Sequence, residues 1–255
     1  MKVLAVPNSF KGSRSSIELC DDLRAGFLAQ NKDIDFVSIP VADGGDGFLV
    51  SIVEALNGEY IEVDTVDALN RPIKAKAGIA NGHGIIEMAL ASGLAILDES
   101  ELNPLKASSY GTGLIIQSLL SKGINNIVLG IGGSATNDGG MGCLAALGYK
   151  FLDKMGNALY PSGESLEKIA IIDSKEVLPQ LLSAKITVVC DVNNPLTGTD
   201  GASYVYAPQK GATPEMVKRL DEGLKHYAHL IHKHTGSDFS KTSGSGAAGG
   251  IGFGL

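Results

Sequence analysis

The chain has 255 residues, of which 44% are hydrophobic and 19% charged, enough apolar content to bury the core of one large domain or two ordinary ones and too much for a disordered chain. The formal charge of −7 is not relieved by any Lys/Arg cluster, which excludes a nucleic-acid surface. No apolar run has the length of a membrane span, and residues 3–6, ahead of Pro7, are too short for a signal core. We therefore expect a cytoplasmic protein with neither a membrane nor a nucleic acid as partner. Glycine is the outlier: 33 of 255 residues, or about 13% against a usual 7% or so, without any collagen period. That excess points to many tight loops, as in α/β proteins that hold ligands at strand ends. Cys20, Cys143 and Cys190 lie far apart with no C-x-x-C pair, and are expected reduced and partly buried.

Residues 3–6 read as a buried parallel strand, followed by the loop Pro7-Asn8-Ser9-Phe10-Lys11-Gly12-Ser13 and a helix opening near Ser15. Ser15 and Glu18 have capping-box spacing, and Ile17, Cys20, Leu23 or Arg24, and Phe27 make a helical stripe. Residues 35–39 are the next strand, ended by Pro40; then come the loop Ala42-Asp43-Gly44-Gly45-Asp46-Gly47 and an apolar helix at 48–56. Strand, loop and helix repeated in this order imply a parallel sheet with a right-handed crossover. Residues 60–66 and 73–77 alternate polar and apolar around Asn70-Arg71-Pro72, the pattern of a hairpin. A strand follows at 85–88 and a helix at 109–120, its core face carried by Leu114, Ile115 and Leu119. A second apolar strand, 127–131, opens into a glycine-rich loop, and the apolar stretch 141–147 starts a helix. Residues 148–152, a turn at 154–157 and the strand 184–190 come next. Thr213-Pro214 opens a helix by N-cap and first-position proline, with Val217, Leu220, Leu224, Tyr227 and Ile231 as its stripe. The segment 243–254 is mostly Gly, Ala and Ser, and a change of domain is expected near residue 68.

Several loops carry chemistry. In Gly130-Ile131-Gly132-Gly133-Ser134-Ala135-Thr136-Asn137-Asp138-Gly139-Gly140-Met141-Gly142 the glycines allow backbone amides to approach a ligand, and the helix start adds its partial positive charge. A phosphate or a carboxylate is the expected occupant. Gly130, Gly132 and Ala135 nearly match a dinucleotide fingerprint, but no helix follows at once, so a nicotinamide dehydrogenase is a distant reading. Asn137 and Asp138 are polar groups inside a loop that is otherwise backbone, which suits a ligand or a metal. Lys11 can reach a phosphate beside a helix terminus, although its spacing serves a solvated turn lysine equally well and no Walker loop is present. Asp43 and Asp46 suit a metal or a hydroxyl, or ordinary Asp-Gly turn chemistry. Asp191, at the end of a buried strand and next to Asn193 and Asn194, reads as a general base, a metal ligand or a loop cap. Lys210 in Pro208-Gln209-Lys210-Gly211 is a second cationic loop position. His226, His229, His232 and His234 fall at a helix end, where surface placement and the dipole explain them without a metal.

Taken in order, these segments resemble the type-1 glycerate kinases, bacterial enzymes that phosphorylate glycerate with ATP. The motifs are the loop 7–13, Ala42-Asp43-Gly44-Gly45-Asp46-Gly47, Ala91-Ser92-Gly93-Leu94, Ala107-Ser108-Ser109-Tyr110-Gly111-Thr112-Gly113, and the segments 130–140, 190–196, 208–212 and 244–250. The resemblance covers nearly the whole chain. It implies an α/β fold: a Rossmann-like parallel-sheet domain beginning at 1–67, a large inserted α/β domain at 68–240, and the start of a return to the first domain at 241–255. The family usually has an acid where this chain has Asn8 and Glu where it has Asp46. Family members also continue for roughly half as much chain again, to complete the first domain's sheet. On that reading the first domain is incomplete here, with an exposed edge and an uncovered apolar face for a further copy or a second chain to cover.

The implied reaction is phosphoryl transfer from ATP, with Mg²⁺, to a hydroxyl of D-glycerate, the 2-phosphate being the favoured product. Lys11 would meet a transferring or terminal phosphate, with Ser9 beside it. Gly132, Gly133, Ser134 and Asn137 would hold an anion, either the glycerate carboxylate or a phosphate, aided by Asn193 and Lys210. Asp191 would take the hydroxyl proton while Asp43 or Asp138 holds Mg²⁺, or Asp43 would be the base with Asp191 on the metal. A chain of this length could instead be a non-catalytic remnant that at most binds an anion.

Overall fold

The computed structural model describes residues 1–10 and 13–255, so the expectation for Lys11 lies outside the described residues. The chain runs β1 (Lys2–Ala5), α1 (Ser16–Gln30), β2 (Asp35–Ser38), α2 (Phe48–Ala55), β3 (Glu59–Val66), β4 (Pro72–Ala80), β5 (His83–Glu87), α3 (Ala89–Ser92) and α4 (Tyr110–Ser121). It continues through β6 (Asn126–Gly130), α5 (Met141–Ala146), β7 (Lys150–Leu152), β8 (Ile171–Asp173), β9 (Lys185–Val189), α6 (Ala202–Tyr206), α7 (Pro214–Thr235) and α8 (Ala247–Gly254). The local signals explain the termini. Ser15 accepts from the Glu18 amide in a complete capping box, and Thr213 accepts from the Met216 amide ahead of Pro214.

A five-stranded sheet in the order β3-β4-β5-β6-β9 forms the centre. The pairs β3/β4 and β4/β5 are antiparallel, whereas β5/β6 and β6/β9 are parallel, so the architecture is mixed α/β with a parallel-containing sheet. Both faces are covered. Phe48, Leu49 and Val53 of α2 meet Ala80 and Ile85 on one face. On the other, Ile86, Ile127 and Leu129 pack with Ile115, Ile116 and Leu119 of α4 and with Cys143. Adjacent residues Ile85 and Ile86 thus serve opposite cores, which is why the strand reads as an unbroken apolar run. A second core joins α5, β7, α7 and α8 through Met141, Leu144, Phe151, Leu224, Tyr227 and Phe253. The Tyr227 ring meets Phe151 and Phe253 edge-on at 6.0 and 5.9 Å.

The first α/β unit is thin. β1 and β2 pair in parallel, Lys2 opposite Asp35 through Ala5 opposite Ser38. α1 covers them with Cys20 buried and with Phe27 and Phe36 in ring contact at 5.5 Å. Leu4, Val6, Val37 and Ile39 remain exposed. α2 follows β2 in sequence but packs on β4 and β5, tying the first unit to the large sheet.

That tie is a backbone seam. The Gly132 amide donates to the Gly44 carbonyl at 2.8 Å. A Cβ on Gly132 would lie 2.5 Å from the Gly45 Cα, and Gly44, at φ +92°, lies so close to the Val189 carbonyl that a Cβ would collide with it. Glu87, at the end of β5, accepts from the amides of Gly47 (3.2 Å) and Leu49 (3.0 Å) and so caps α2. Burial raises the Glu87 pKa above the usual carboxylate range, the two amides pulling against it. Gly132→Ala should lower stability by about 2 kcal/mol or more in urea unfolding. Gly26→Ala, in α1 with nothing within 4 Å of the new methyl, should instead hold or raise stability.

Candidate active site

The seam sets the loops after β2, β6 and β9 side by side, and they enclose a cavity of about 260 Å³. Its walls carry Asp43 and Asp46 from the first loop, Gly132, Gly133 and Ser134 from the second, and Asp191 from the third. Tyr206 and Gln209 and the buried Lys210 complete it, with Ala247 and Ala248 at one side. Six of the expected positions therefore meet in one place: Asp43, Gly132, Gly133, Ser134, Asp191 and Lys210. This is the carboxyl end of parallel strands, where ligands of open α/β sheets bind.

Lys210 is set by the turn Pro208–Lys210 and is only 2% exposed. Its Nζ donates to Ser134 Oγ at 2.8 Å and to the Thr136 carbonyl at 2.7 Å. Burial pulls its pKa down to about 7, while the Asp138 charge acts in the opposite direction. Asp43 Oδ1 accepts the Gly45 amide, and Asp43 Oδ2 accepts the Asn8 side-chain amide at 3.3 Å. Asn8 thus gives Asp43 a hydrogen-bond donor. Tyr206 donates to Asn194 Oδ1 at 2.6 Å, and burial, then the nearby Asp191 and Cys190 charges, raises its phenol pKa.

The glycine loop differs from the row of free amides its sequence suggests. Gly132 donates to Gly44, Ala135 to the Ser92 carbonyl, and Gly139 to the Gly249 carbonyl. Within this loop Gly133 and Ser134 line the cavity, and their amides have no protein acceptor. The expected anion at the start of α5 is internal. It is the carboxylate of Asp138, which accepts from the Gly140 (3.2 Å) and Gly142 (3.1 Å) amides. The same side chain takes the Ser109 amide and hydroxyl, both at 2.8 Å, and so also holds the start of α4. Asp138 is fully buried and does not line the cavity; burial raises its pKa against those donors. Its oxygens are already engaged by four donors, which leaves no place for the Mg²⁺ expected there. Among the described residues no group of three or more His, Cys, Asp or Glu side chains could hold a metal ion.

The other expected residues lie around the cavity. Asn137 is buried behind it, with Nδ2 donating to Ser203 Oγ at 3.0 Å and Oδ1 unpartnered. Asn193 is exposed and accepts from the Ser243 hydroxyl. Ser9 lines a neighbouring depression with Ser13, Ser15 and Ser16, which shares Asp46 with the cavity. Sequence reasoning missed Tyr206, Gln209 and Ala248. Ala248 sits at φ +51°; among the described residues the other positive-φ non-glycines are all asparagines, Asn57, Asn70 and Asn81. An alanine inside a Gly/Ala run carries no sequence signal of that strain. A larger apolar cavity of about 470 Å³, lined in part by Leu144, Ile231 and Phe253, meets the polar one at Cys190.

Fold and site together define an α/β protein with a polar, anion-suited cleft at the ends of parallel strands. The family model described as the glycerate kinase family matches residues 3–255. A glycerate kinase of Haemophilus influenzae is 45% identical over 258 residues, covering 100% of this chain and 68% of that relative. A glycerate 2-kinase of Escherichia coli K12 is 42% identical, covering 100% and 68%. A solved structure assigned to glycerate kinase 2 of Salmonella typhimurium LT2 superposes with a TM-score of 0.91 at 43% identity, covering 100% of this chain and 69% of that one. The chain belongs to the glycerate kinase family, and it spans about two thirds of the length of these relatives. No helix of the described residues is long and apolar enough to cross a membrane.

Asp138→Ala would leave three buried amides and a hydroxyl without their acceptor. It should cost about 3 kcal/mol in urea unfolding, with the loss the same with and without Mg²⁺.

Proposed function

We propose that this protein is a glycerate kinase that transfers the terminal phosphoryl group of ATP to a hydroxyl of D-glycerate, with 2-phosphoglycerate as product. Family membership supplies the reaction class, and the relative from Escherichia coli, a glycerate 2-kinase, favours the 2-phosphate. The observation that carries the reading is one cavity holding Asp43, Asp191 and the buried Lys210 together. Phosphoryl transfer needs positioning and charge neutralisation more than covalent help from the protein.

In this assignment Asp191 accepts the proton of the attacking hydroxyl, the hydroxyl oxygen bonds to the terminal phosphorus, and ADP leaves. Asp43 turns its carboxylate to the nucleotide side. Mg²⁺ is usually held by one or two carboxylates together with substrate phosphates and water, and Asp43, with only two protein donors, suits that role where Asp138 does not. The ion, when bound, neutralises phosphate charge. Ser9 and Lys11 belong to the loop that would meet the phosphates. Gly133 and Ser134 offer amides to an anion, Gly132 forms part of the wall, and Asn137 behind it and Asn193 beside it support the site. The cleft is read as the junction of a Rossmann-like domain, begun by 1–67 and resumed at 241–255, with an inserted domain at 68–240. The exposed apolar face of β1 and β2 is read as a contact for a second copy of the chain. We place the reaction in the cytoplasm, where ATP is supplied.

The test is ADP release with Mg-ATP in the presence and absence of D-glycerate. Glycerate-dependent release is expected, and Asp191→Asn should lower kcat by about 10²–10⁴-fold with an unchanged unfolding midpoint. Absence of release from the wild-type chain would favour the anion-binding remnant.

A further inference from the structure

We propose that Lys210, Ser134 and the amides of Gly133 and Ser134 form a carboxylate subsite that makes the enzyme take a hydroxy acid and refuse a neutral polyol. This rests on the glycerate reading and assigns which end of the substrate lies where.

Lys210 is the one cation among the described residues lining the cavity. Two of the three ammonium protons are fixed by Ser134 Oγ and the Thr136 carbonyl, which leaves one for a ligand. No described carboxylate lies within ion-pair distance of Nζ. A buried ammonium without a counter-ion is costly, and an incoming anion removes that cost. A phosphate would satisfy the same donors, but two features favour a carboxylate. The cavity, about 260 Å³, suits a three-carbon acid rather than a nucleotide. Its other walls carry Asp43, Asp46 and Asp191, which oppose a multiply charged group more than a singly charged one.

The groups facing Lys210 also set its behaviour with pH. Asp138 lies behind it, Asp43 and Asp46 come from the loop after β2, Asp191 and Cys190 from the loop after β9, and Tyr206 from α6. With the ammonium pKa near 7, the subsite is cationic below neutrality and loses its charge as pH rises through that value. Bound carboxylate draws the proton back on, so substrate affinity falls with rising pH.

The experiment compares KM for D-glycerate and for ATP between about pH 6 and pH 9, with glycerol as the carboxylate-free acceptor. KM for glycerate should rise above neutrality, approaching about tenfold per pH unit, while KM for ATP stays flat. Lys210→Met should raise KM for glycerate about 10- to 100-fold, leave KM for ATP unchanged and narrow the preference for glycerate over glycerol. A rise confined to KM for ATP would give Lys210 to a phosphate and overturn the proposal. If Lys210→Met does not fold, Ser134→Ala and the wild-type profile decide, a flat glycerate KM counting against the subsite. If the wild type turns nothing over, the kinase reading fails by itself. Calorimetric binding of D-glycerate but not glycerol, weakening above neutral pH, would still support the subsite, and equal binding of both would overturn it.

Discussion

The site depends on two stretches of backbone lying closer together than side chains allow. Gly44 and Gly45 rest on Gly132, with the Gly132 amide bonded to the Gly44 carbonyl at 2.8 Å. The groups proposed to act in catalysis are referenced to that seam. It fixes Asp43 and Asp46 relative to Gly133 and Ser134, and the Val189 carbonyl beneath Gly44 brings in the strand that ends beside Asp191. Glu87 then secures the first turn of α2, so the loop is held from both ends.

Charge is distributed unevenly around this seam. The carboxylates of Asp43, Asp46 and Asp191 come from two loops at the open side, whereas the one described cation, Lys210, is buried against Ser134 and Thr136. On the proposed reading this arrangement orients a substrate that is anionic at one end and carries hydroxyls at the other. The second buried charge, Asp138, does different work. It joins the first turns of α4 and α5 through backbone donors, making the floor under the cavity rigid.

The periodic elements were legible because their signals are local. Ser15 with Glu18, and Thr213 with Pro214, mark helix starts that the structure reproduces, and the hairpin of β3 and β4 follows from alternation around Asn70. Short elements such as α3, α6 and β8 gave no periodic signal; three to five residues are too few for one. At the site the Asp-Gly pairs at 43–44 and 138–139 look alike in sequence. Burial alone separates them, and burial is set by contacts with Ser109, far away along the chain. The same holds for Lys210, which the sequence marks only as a cationic loop residue, and for Tyr206, which lies in a short helix with no motif of its own.

The thinness of the first α/β unit has a consequence for how the protein would fail on warming. Segments with few buried contacts open first, well below the global transition. Here those are β1 and β2, while Asp43 is tied through its glycine neighbours to the loop after β6 and Lys210 is held by Ser134 and Thr136. Heat would therefore separate grip from transfer. On the proposed assignment, the protein with β1 and β2 opened keeps its hold on the acid, and lost turnover comes before lost substrate binding.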